Sequence, residues 1–256
     1  MSLLQVQAIS KSFGGVAALD AVSFDLPAGQ MLALIGPNGA GKSTCFNVIN
    51  GQLRPDAGAV LLDGHDIAGL DARRIWRRGV GRTFQVSAAF ASLTVLENVQ
   101  AALLSHRRRL WQLWRPAAHC LRQEAMHLLD QVGMSAQAER ACGVLAYGDI
   151  KRVELAMALS NDPRLLLMDE PTAGMAARER QELMALTRRL VSQRGLSVLF
   201  TEHSMDVVFA FADRIIVLAR GQVIAQGDAQ DVRQDARVRE VYFGSGASFG
   251  HVGAAS

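Results

Sequence analysis

Residues Gly36 to Thr44 read GPNGAGKST and stand directly behind the apolar run MLALI. Glycines in such a place are costly unless the backbone must turn sharply or approach something closely. Gly36, Gly41, Lys42 and Ser43 fit the spacing G-x-x-x-x-G-K-[ST], whose backbone N–H groups cradle phosphates. Gly36, Pro37, Asn38, Gly39, Ala40, Gly41, Lys42, Ser43 and Thr44 are therefore candidate phosphate-binding residues. Lys42 is placed to reach the β- and γ-phosphates, and the Ser43 hydroxyl to ligate Mg²⁺. An apolar strand before the loop and a helix after it (STCFNVING) supply the context that separates this motif from an ordinary corner. A helix N-terminus behind such a loop favours an anion through its free N–H groups and its dipole. The pattern implies a nucleoside triphosphate ligand.

Two further apolar runs end in reactive groups. RLLLMDE (164–170) places Asp169 where it can hold Mg²⁺ through water, and Glu170 beside it to polarise an attacking water. LSVLFTEH (196–203) ends on His203, a lone histidine that gains meaning only in company with the first two motifs. The guanine-reading pattern N-K-x-D occurs nowhere in the chain.

These groups need a scaffold, and the periodicities suggest one. The two runs are nearly continuous apolar segments, as parallel strands covered on both faces are, with ligands at their carboxyl ends. Leu4, Val6 and Ala8 alternate with polar neighbours and predict a strand with one wet face. Val16–Leu26 predicts another and Ala59–Gly64 a third, closing on Asp-Gly. RIIVLARGQVIAQG predicts a hairpin turned at Arg220-Gly221. Helical spacing runs through Arg122–Val132, Ile150–Ser160 and Arg178–Arg194. The expected fold is α/β: a P-loop NTPase (RecA-like) core, a small antiparallel β layer and a helical subdomain inserted at about 86–161. Residues 1–243 then form one nucleotide-binding domain, and the low-complexity tail 244–256 is expected to be flexible.

Composition narrows the class. At 256 residues and 50% hydrophobic the chain can bury a large core. No apolar stretch approaches the roughly 18 residues that cross a bilayer, and the first residues lack a signal-peptide pattern, so a cytoplasmic location is expected. Cys45, Cys120 and Cys142 are scattered, which argues against a disulfide framework or zinc site and for apolar filling. A net charge of +3 argues against bulk nucleic-acid binding. The local cluster SHRRRLWQLWR (105–115) is open to two readings: a surface helix turning Leu110, Leu113 and Trp114 inward, or a contact with lipid headgroups or a partner.

Taken in order, the motifs resemble the ATP-binding subunits of ABC transporters, over about residues 4–243. The resemblance implies that GPNGAGKST is the Walker A segment, LLLMDEPTAG the Walker B segment and His203 the switch histidine. Phe13 in KSFGG looks like the aromatic that stacks on adenine. Gln85 in RTFQ looks like the glutamine that senses Mg²⁺ and water and faces the membrane subunits. LAYGD (145–149) occupies the place of the signature Leu-Ser-Gly-Gly-Gln, with Tyr147 and Gly148 as nucleotide contacts. FGGVAAL, VGRTFQ…LTVLENV, LAYG and the ending VREVYFG resemble the ATPases of branched-chain amino acid importers. Relatives with similar ATPases move urea, short amides or aromatic acids.

The resemblance implies ATP and Mg²⁺ as cofactors and two cassettes, alike or different, sandwiching two ATPs head to tail. It also implies permease subunits that hold the chain at the inner face of the membrane, and indirectly a periplasmic binding protein. Two motifs depart from the pattern: Ala146 and Asp149 in the signature, and Ala176 in AGMAA, where the family usually has Asp or Asn. These leave open a regulatory, weakly hydrolysing subunit, or a soluble ABC ATPase not tied to transport. Asp149 carries two readings. It either brings a carboxylate towards the phosphates or, as preferred here, caps the helix that begins there, an effect of about 0.5–2 kcal/mol.

Overall fold

The computed structural model describes residues 2–83, 89–106 and 121–243. Two sheets organise them. In the first, β1 (Ser2–Phe13) lies between β2 (Val16–Pro27) and β4 (Ala57–Leu62), with the short β5 (His65–Asp66) at the edge, all antiparallel. Tight hairpins close at Gly14-Gly15 and Asp63-Gly64, where both residues of each turn have positive φ. That geometry matches the twist of the flanking strands.

The alternation in β1 is interrupted. Leu4 and Val6 face inward as their spacing predicts, but Ala8 is exposed with φ +46°. The register shifts between Val6 and Ile9, and Ile9 takes the buried place instead. An extra residue in one strand inverts the side-chain phase beyond it, which strict alternation cannot anticipate.

The second sheet runs β10-β9-β3-β8-β7-β6 and carries the site. It comprises β3 (Met31–Ile35), β6 (Val80–Thr83), β7 (Leu165–Asp169), β8 (Ser197–Thr201), β9 (Arg214–Ala219) and β10 (Gln222–Gly227). All neighbours are parallel except β10, which returns from β9 through the expected turn, Arg220 and Gly221 both having positive φ. The apolar runs are buried on both faces, as parallel strands must be. Leu32, Leu34, Leu165, Leu167 and Leu199 face helix α1 (Lys42–Ile49) and the antiparallel sheet in one core cluster. Met31, Ala33, Ile35, Leu166, Met168, Val198 and Phe200 face the other way, into a larger cluster.

That larger cluster is filled by helices α3 (Val95–His106), α4 (Arg122–Gln131), α5 (Tyr147–Ala158), α6 (Ala177–Arg194) and α7 (Met205–Phe211). Between β6 and β7 the described residues are helical, in α3, α4, α5 and short 3₁₀ turns, as the sequence suggests. Three short helices complete the described residues: α2 (Ala72–Arg77), capped by Asp71, then α8 (Ala229–Gln234) and α9 (Ala236–Phe243). Cys45 and Cys142 are buried and free, and burial pushes the Cys45 thiol up to about 12. They serve as small apolar fillers, with the Cys142 Sγ also accepting from Asn98 Nδ2 at 3.2 Å.

One polar bridge ties helix α6 to the start of the central strand. Arg188 donates through both terminal nitrogens to Asp213, each at 2.9 Å, and to the Phe211 carbonyl at 2.7 Å. Asp213 in turn accepts the Met31 N–H at 2.7 Å. Since about a third of each side chain is exposed, solvent screens the pair. Arg188→Ala is expected to cost about 1–2 kcal/mol and lower the melting temperature by a few degrees, read by calorimetry.

Candidate functional site

The phosphate loop leaves the carboxyl end of β3, which lies between β9 and β8. Its glycines are demanded by close approach. A Cβ on Gly36 would run into the Leu218 carbonyl of β9, and one on Gly41, at φ +106°, would come within 2.5 Å of the Ala18 carbonyl of β2. Both sheets therefore press on the loop. Further backbone bonds lash it to them: Gly221 N–H to the Ala40 carbonyl at 3.0 Å and Asp20 N–H to the Gly221 carbonyl at 2.9 Å. The loop delivers the chain into α1, whose N-cap, Gly41, has no side chain to satisfy the first-turn N–H groups. Such an end is suited to an anion.

Lys42 is buried, and its Nζ donates to the carbonyls of Gly36 at 2.7 Å and Pro37 at 3.1 Å. Burial lowers the Lys42 pKa, opposed by the charges of Glu170 and Asp169. Lys42 thus lies within electrostatic reach of the adjacent carboxylates Asp169 and Glu170, far from it in sequence. Asn38, Gly39 and Ser43 are exposed, while Pro37 and Thr44 are half-buried.

Asp169 and Glu170 emerge at the end of β7 and His203 just past the end of β8, its parallel neighbour. Thr201 joins them. Its hydroxyl donates to Asp169 Oδ1 at 2.8 Å and accepts the Glu170 N–H at 3.0 Å. Glu170 sits at φ +48°, an uncommon conformation for a residue with a side chain. Its Oε1 lies 2.7 Å from His203 Nε2. Beneath them the buried Glu202 accepts from the Thr172 hydroxyl and N–H and from His203 N–H, pinning the residues after Glu170 to those after Thr201. The arrangement suits a carboxylate that polarises water, oriented by a histidine.

Arg82, at the end of β6, reaches Asp169 Oδ2 at 3.5 Å and bonds Asn47 and Gln52 at 3.2 and 3.1 Å. Burial lowers its pKa, which Asp169 counteracts. Tyr242 of α9 accepts a backbone hydrogen bond from Gly36, and burial pushes its phenol pKa up. No motif singled out Arg82, Thr201, Thr172 or Glu202. The faint signals were their positions, inside RTFQ, PTAG and TEH beside the predicted groups. Tyr242 lies in the ending VREVYFG but carried no assigned role.

Phe13 stands 48% exposed beside the β1–β2 turn, on the hairpin whose second strand touches the loop at Ala18. The signature segment forms the first turn of α5, which begins at Tyr147, earlier than the helical spacing from Ile150 suggested. Its N-cap Ala146 offers no side-chain acceptor, and Ile150 N–H bonds the Ala146 carbonyl at 3.1 Å. Tyr147 is exposed, with Lys151 Nζ 5.3 Å from its ring centre. The expected Asp149 cap is not what forms. Asp149 Oδ2 accepts from Gln137 Nε2 at 3.1 Å, because Asp149 falls in the third helical position, beside the 3₁₀ turn Ser135–Gln137. The carboxylate turns onto its own chain, but to a side chain. Ala176, likewise, is an N-cap without a side-chain oxygen; Glu179 accepts its N–H at 3.1 Å. Gln85, the arginine-rich segment from 107 to 115 and the tail from 244 lie outside the described residues.

Comparisons with known proteins agree on one kind of molecule. Residues 19–173 match the family model described as ABC transporter, and residues 222–248 that described as branched-chain amino acid ATP-binding cassette transporter. The chain is 37% identical over 249 residues to the high-affinity branched-chain amino acid transport ATP-binding protein BraF of Pseudomonas aeruginosa, covering 94% of this chain and 98% of BraF. Among solved structures it is similar to the ADP conformation of MJ1267, an ATP-binding cassette of an ABC transporter. That match has a TM-score of 0.85 and 33% identity, covering 95% of this chain and 99% of MJ1267. It is also similar to the dimeric, post-hydrolysis cassette MJ0796 bound to ADP and Pi. There the TM-score is 0.74 and the identity 27%, covering 88% and 98% of the two chains.

Thr201 offers a direct test of how the carboxylates are set. Thr201→Val keeps the shape of a side chain only 1% exposed but removes both of its hydrogen bonds. An unpaired Glu170 N–H costs about 1–3 kcal/mol. The expected result is a lower melting temperature together with steady-state ATPase activity reduced about tenfold, more than lost folding explains.

Proposed function

Because this chain belongs to the ABC transporter ATP-binding family, we propose that it powers an importer for branched-chain amino acids or related small amides and acids. As a cassette of that family it binds ATP and hydrolyses it to drive transport. The cargo reading rests on BraF and on the match of residues 222–248 to the branched-chain amino acid model. Residues 1–243 act as one nucleotide-binding domain, with the helical part, about 86–161, as its insertion.

The observation that carries the mechanism is the 2.7 Å contact between His203 Nε2 and Glu170 Oε1. Backbone N–H groups within the loop Gly36–Thr44 and the Lys42 ammonium bind the triphosphate, and Phe13 stacks on the base. Glu170 draws the proton of the attacking water, and His203 holds the Glu170 carboxylate in place. The strained Glu170 backbone, fixed by Thr201, aims that carboxylate out of the sheet. The donors present fit Mg²⁺: an exposed hydroxyl on Ser43 and the Asp169 carboxylate are hard oxygen ligands. No group of three or more His, Cys, Asp or Glu that could hold a metal occurs among the described residues. An ion held by one carboxylate, a hydroxyl and substrate phosphates is how Mg²⁺ is usually kept. Ser43, Asp169 and Gln85 are the residues assigned to it, and it supplies charge neutralisation for the phosphates.

The chain has one phosphate loop and one signature, which supports a head-to-tail pair of cassettes, alike or different. The uncapped start of α5, with Tyr147 and Gly148, then faces the partner's triphosphate. Dimer closure on ATP supplies the work, since ligand binding favours the closed state. A groove of about 380 Å³ lined by Gln52, Trp76, Arg82, Thr83 and Glu154 opens beside the end of β6. We assign it to a helix of a permease subunit, which carries closure into the membrane as a rigid-body movement. A periplasmic binding protein delivers the cargo to that permease. Among the described residues no helix is long and apolar enough to cross a membrane, which supports attachment at the inner face through the permeases.

A regulatory, weakly hydrolysing subunit is the second reading, favoured by the bare caps Ala146 and Ala176. The complete Glu170–His203 pair weighs against it. Glu170→Gln is expected to reduce steady-state ATPase activity about a hundredfold or more while retaining bound ATP and favouring the dimer in size-exclusion chromatography. Lys42→Ala is expected to lose nucleotide affinity as well. Turnover at the parent rate in Glu170→Gln would overturn the assignment.

Attachment is tested by fractionating cells that express the chain with and without permease subunits. The chain is expected in the soluble fraction without them. Membrane association without permeases would point instead to the 107–115 segment on anionic lipid.

A further inference from the structure

Arg82 makes contacts that the hydrolysis scheme above does not use. Its backbone pairs with β7 at Leu167, and its side chain runs to the end of that strand. One terminal nitrogen bonds Asn47 Oδ1 at 3.2 Å and Gln52 Oε1 at 3.1 Å; the other stands 3.5 Å from Asp169 Oδ2. Asn47 belongs to α1 and Gln52 follows it, its N–H bonded to the Asn47 carbonyl at 2.9 Å. The other Asp169 oxygen is taken by Thr201. Both oxygens are therefore held from the protein side, one by Thr201 of β8 and one by Arg82 of β6, itself bonded to α1.

The helix that anchors Arg82 is the helix whose first turn carries Ser43. Ser43 and Asp169 come from different strand ends and share no direct bond among those found. The Arg82 side chain, 12% exposed, spans the space between their supports. A planar guanidinium can engage α1 and the carboxylate at once because its donors diverge in a fixed fork, which an ammonium cannot reproduce.

We propose that Arg82 is a positioning residue for the divalent-metal site, holding Asp169 at a fixed offset from helix α1 and so from Ser43. The inference rests on the assignment of Ser43 and Asp169 to that site. A rival effect has the opposite sign. A cation this near Asp169 repels a divalent ion, so if charge alone mattered, removing Arg82 would tighten metal binding. Positioning predicts weakening, since partners that orient a ligand are typically worth about 10–100-fold in metal affinity or activity.

The test measures Mn²⁺ affinity of the full chain with saturating ADP by electron paramagnetic resonance, comparing the parent, Arg82→Met, Arg82→Lys and Asp169→Asn. Thermal melts accompany each to establish folding. Arg82→Met is expected to bind Mn²⁺ about tenfold more weakly at unchanged metal-free nucleotide affinity. Arg82→Lys, which keeps the charge and loses the fork, is expected to weaken it in the same direction, and it serves if the Met variant does not fold. Affinity unchanged or tighter in folded Arg82 variants, with Asp169→Asn weakened, would overturn the positioning role alone. Unchanged affinity in Asp169→Asn would instead overturn the metal assignment on which it rests.

Discussion

The structure depends on how closely backbone can approach backbone around the phosphate loop. Gly36 lies against the Leu218 carbonyl and Gly41 against that of Ala18, so β9 and β2 grip the loop from two sheets. No side chain fits at either position, and the loop's own shape follows. The start of α1 is left with N–H groups that no side chain caps. Unsatisfied donors at the positive end of a helix are a standing attraction for phosphate. The antiparallel sheet is thus part of the site: without β2 and the hairpin turn at Gly221, the loop has neither its grip nor its bonds to Ala40.

The geometry at Asp169 and Glu170 is set one layer away, by hydroxyls and carboxylates between two parallel strands. Parallel pairing brings Asp169 level with Thr201, so one hydroxyl can serve Asp169 and the Glu170 backbone together. The strained φ of Glu170 persists because its neighbours leave it no alternative: Thr201 holds its N–H and Glu202 holds Thr172 just beyond. The Glu170 side chain reaches His203 across the strand ends. Central strands of a doubly covered sheet are the most rigid support available for such a group.

The helical part contrasts with this. Its helix α5 and the later helix α6 begin at alanines, Ala146 and Ala176, which cannot close their own ends. Glu179 compensates at Ala176, and at Ala146 no side-chain cap forms. A helix that does not satisfy its own start is suited to having it completed by a charged group from outside.

Sequence alone determined the chemistry with long-range consequences. Glycine spacing names a phosphate loop because only glycine fits there, and continuous apolar runs ending in Asp169, Glu170 and His203 mark parallel strands with ligands at their ends. Both signals are local and periodic, so they survive without a structure. Tertiary structure alone decided the rest. It placed Arg82 and Thr201 at Asp169, bonded Tyr242 to Gly36, moved Ile9 into the place Ala8 should have taken, and turned Asp149 to Gln137. Each of these joins residues that chain spacing does not relate, or depends on a single extra residue that shifts a register. A periodic pattern carries information about the face a residue shares with its neighbours. It carries none about which distant side chain will meet it, because strand order and register are settled by the packing of the whole core.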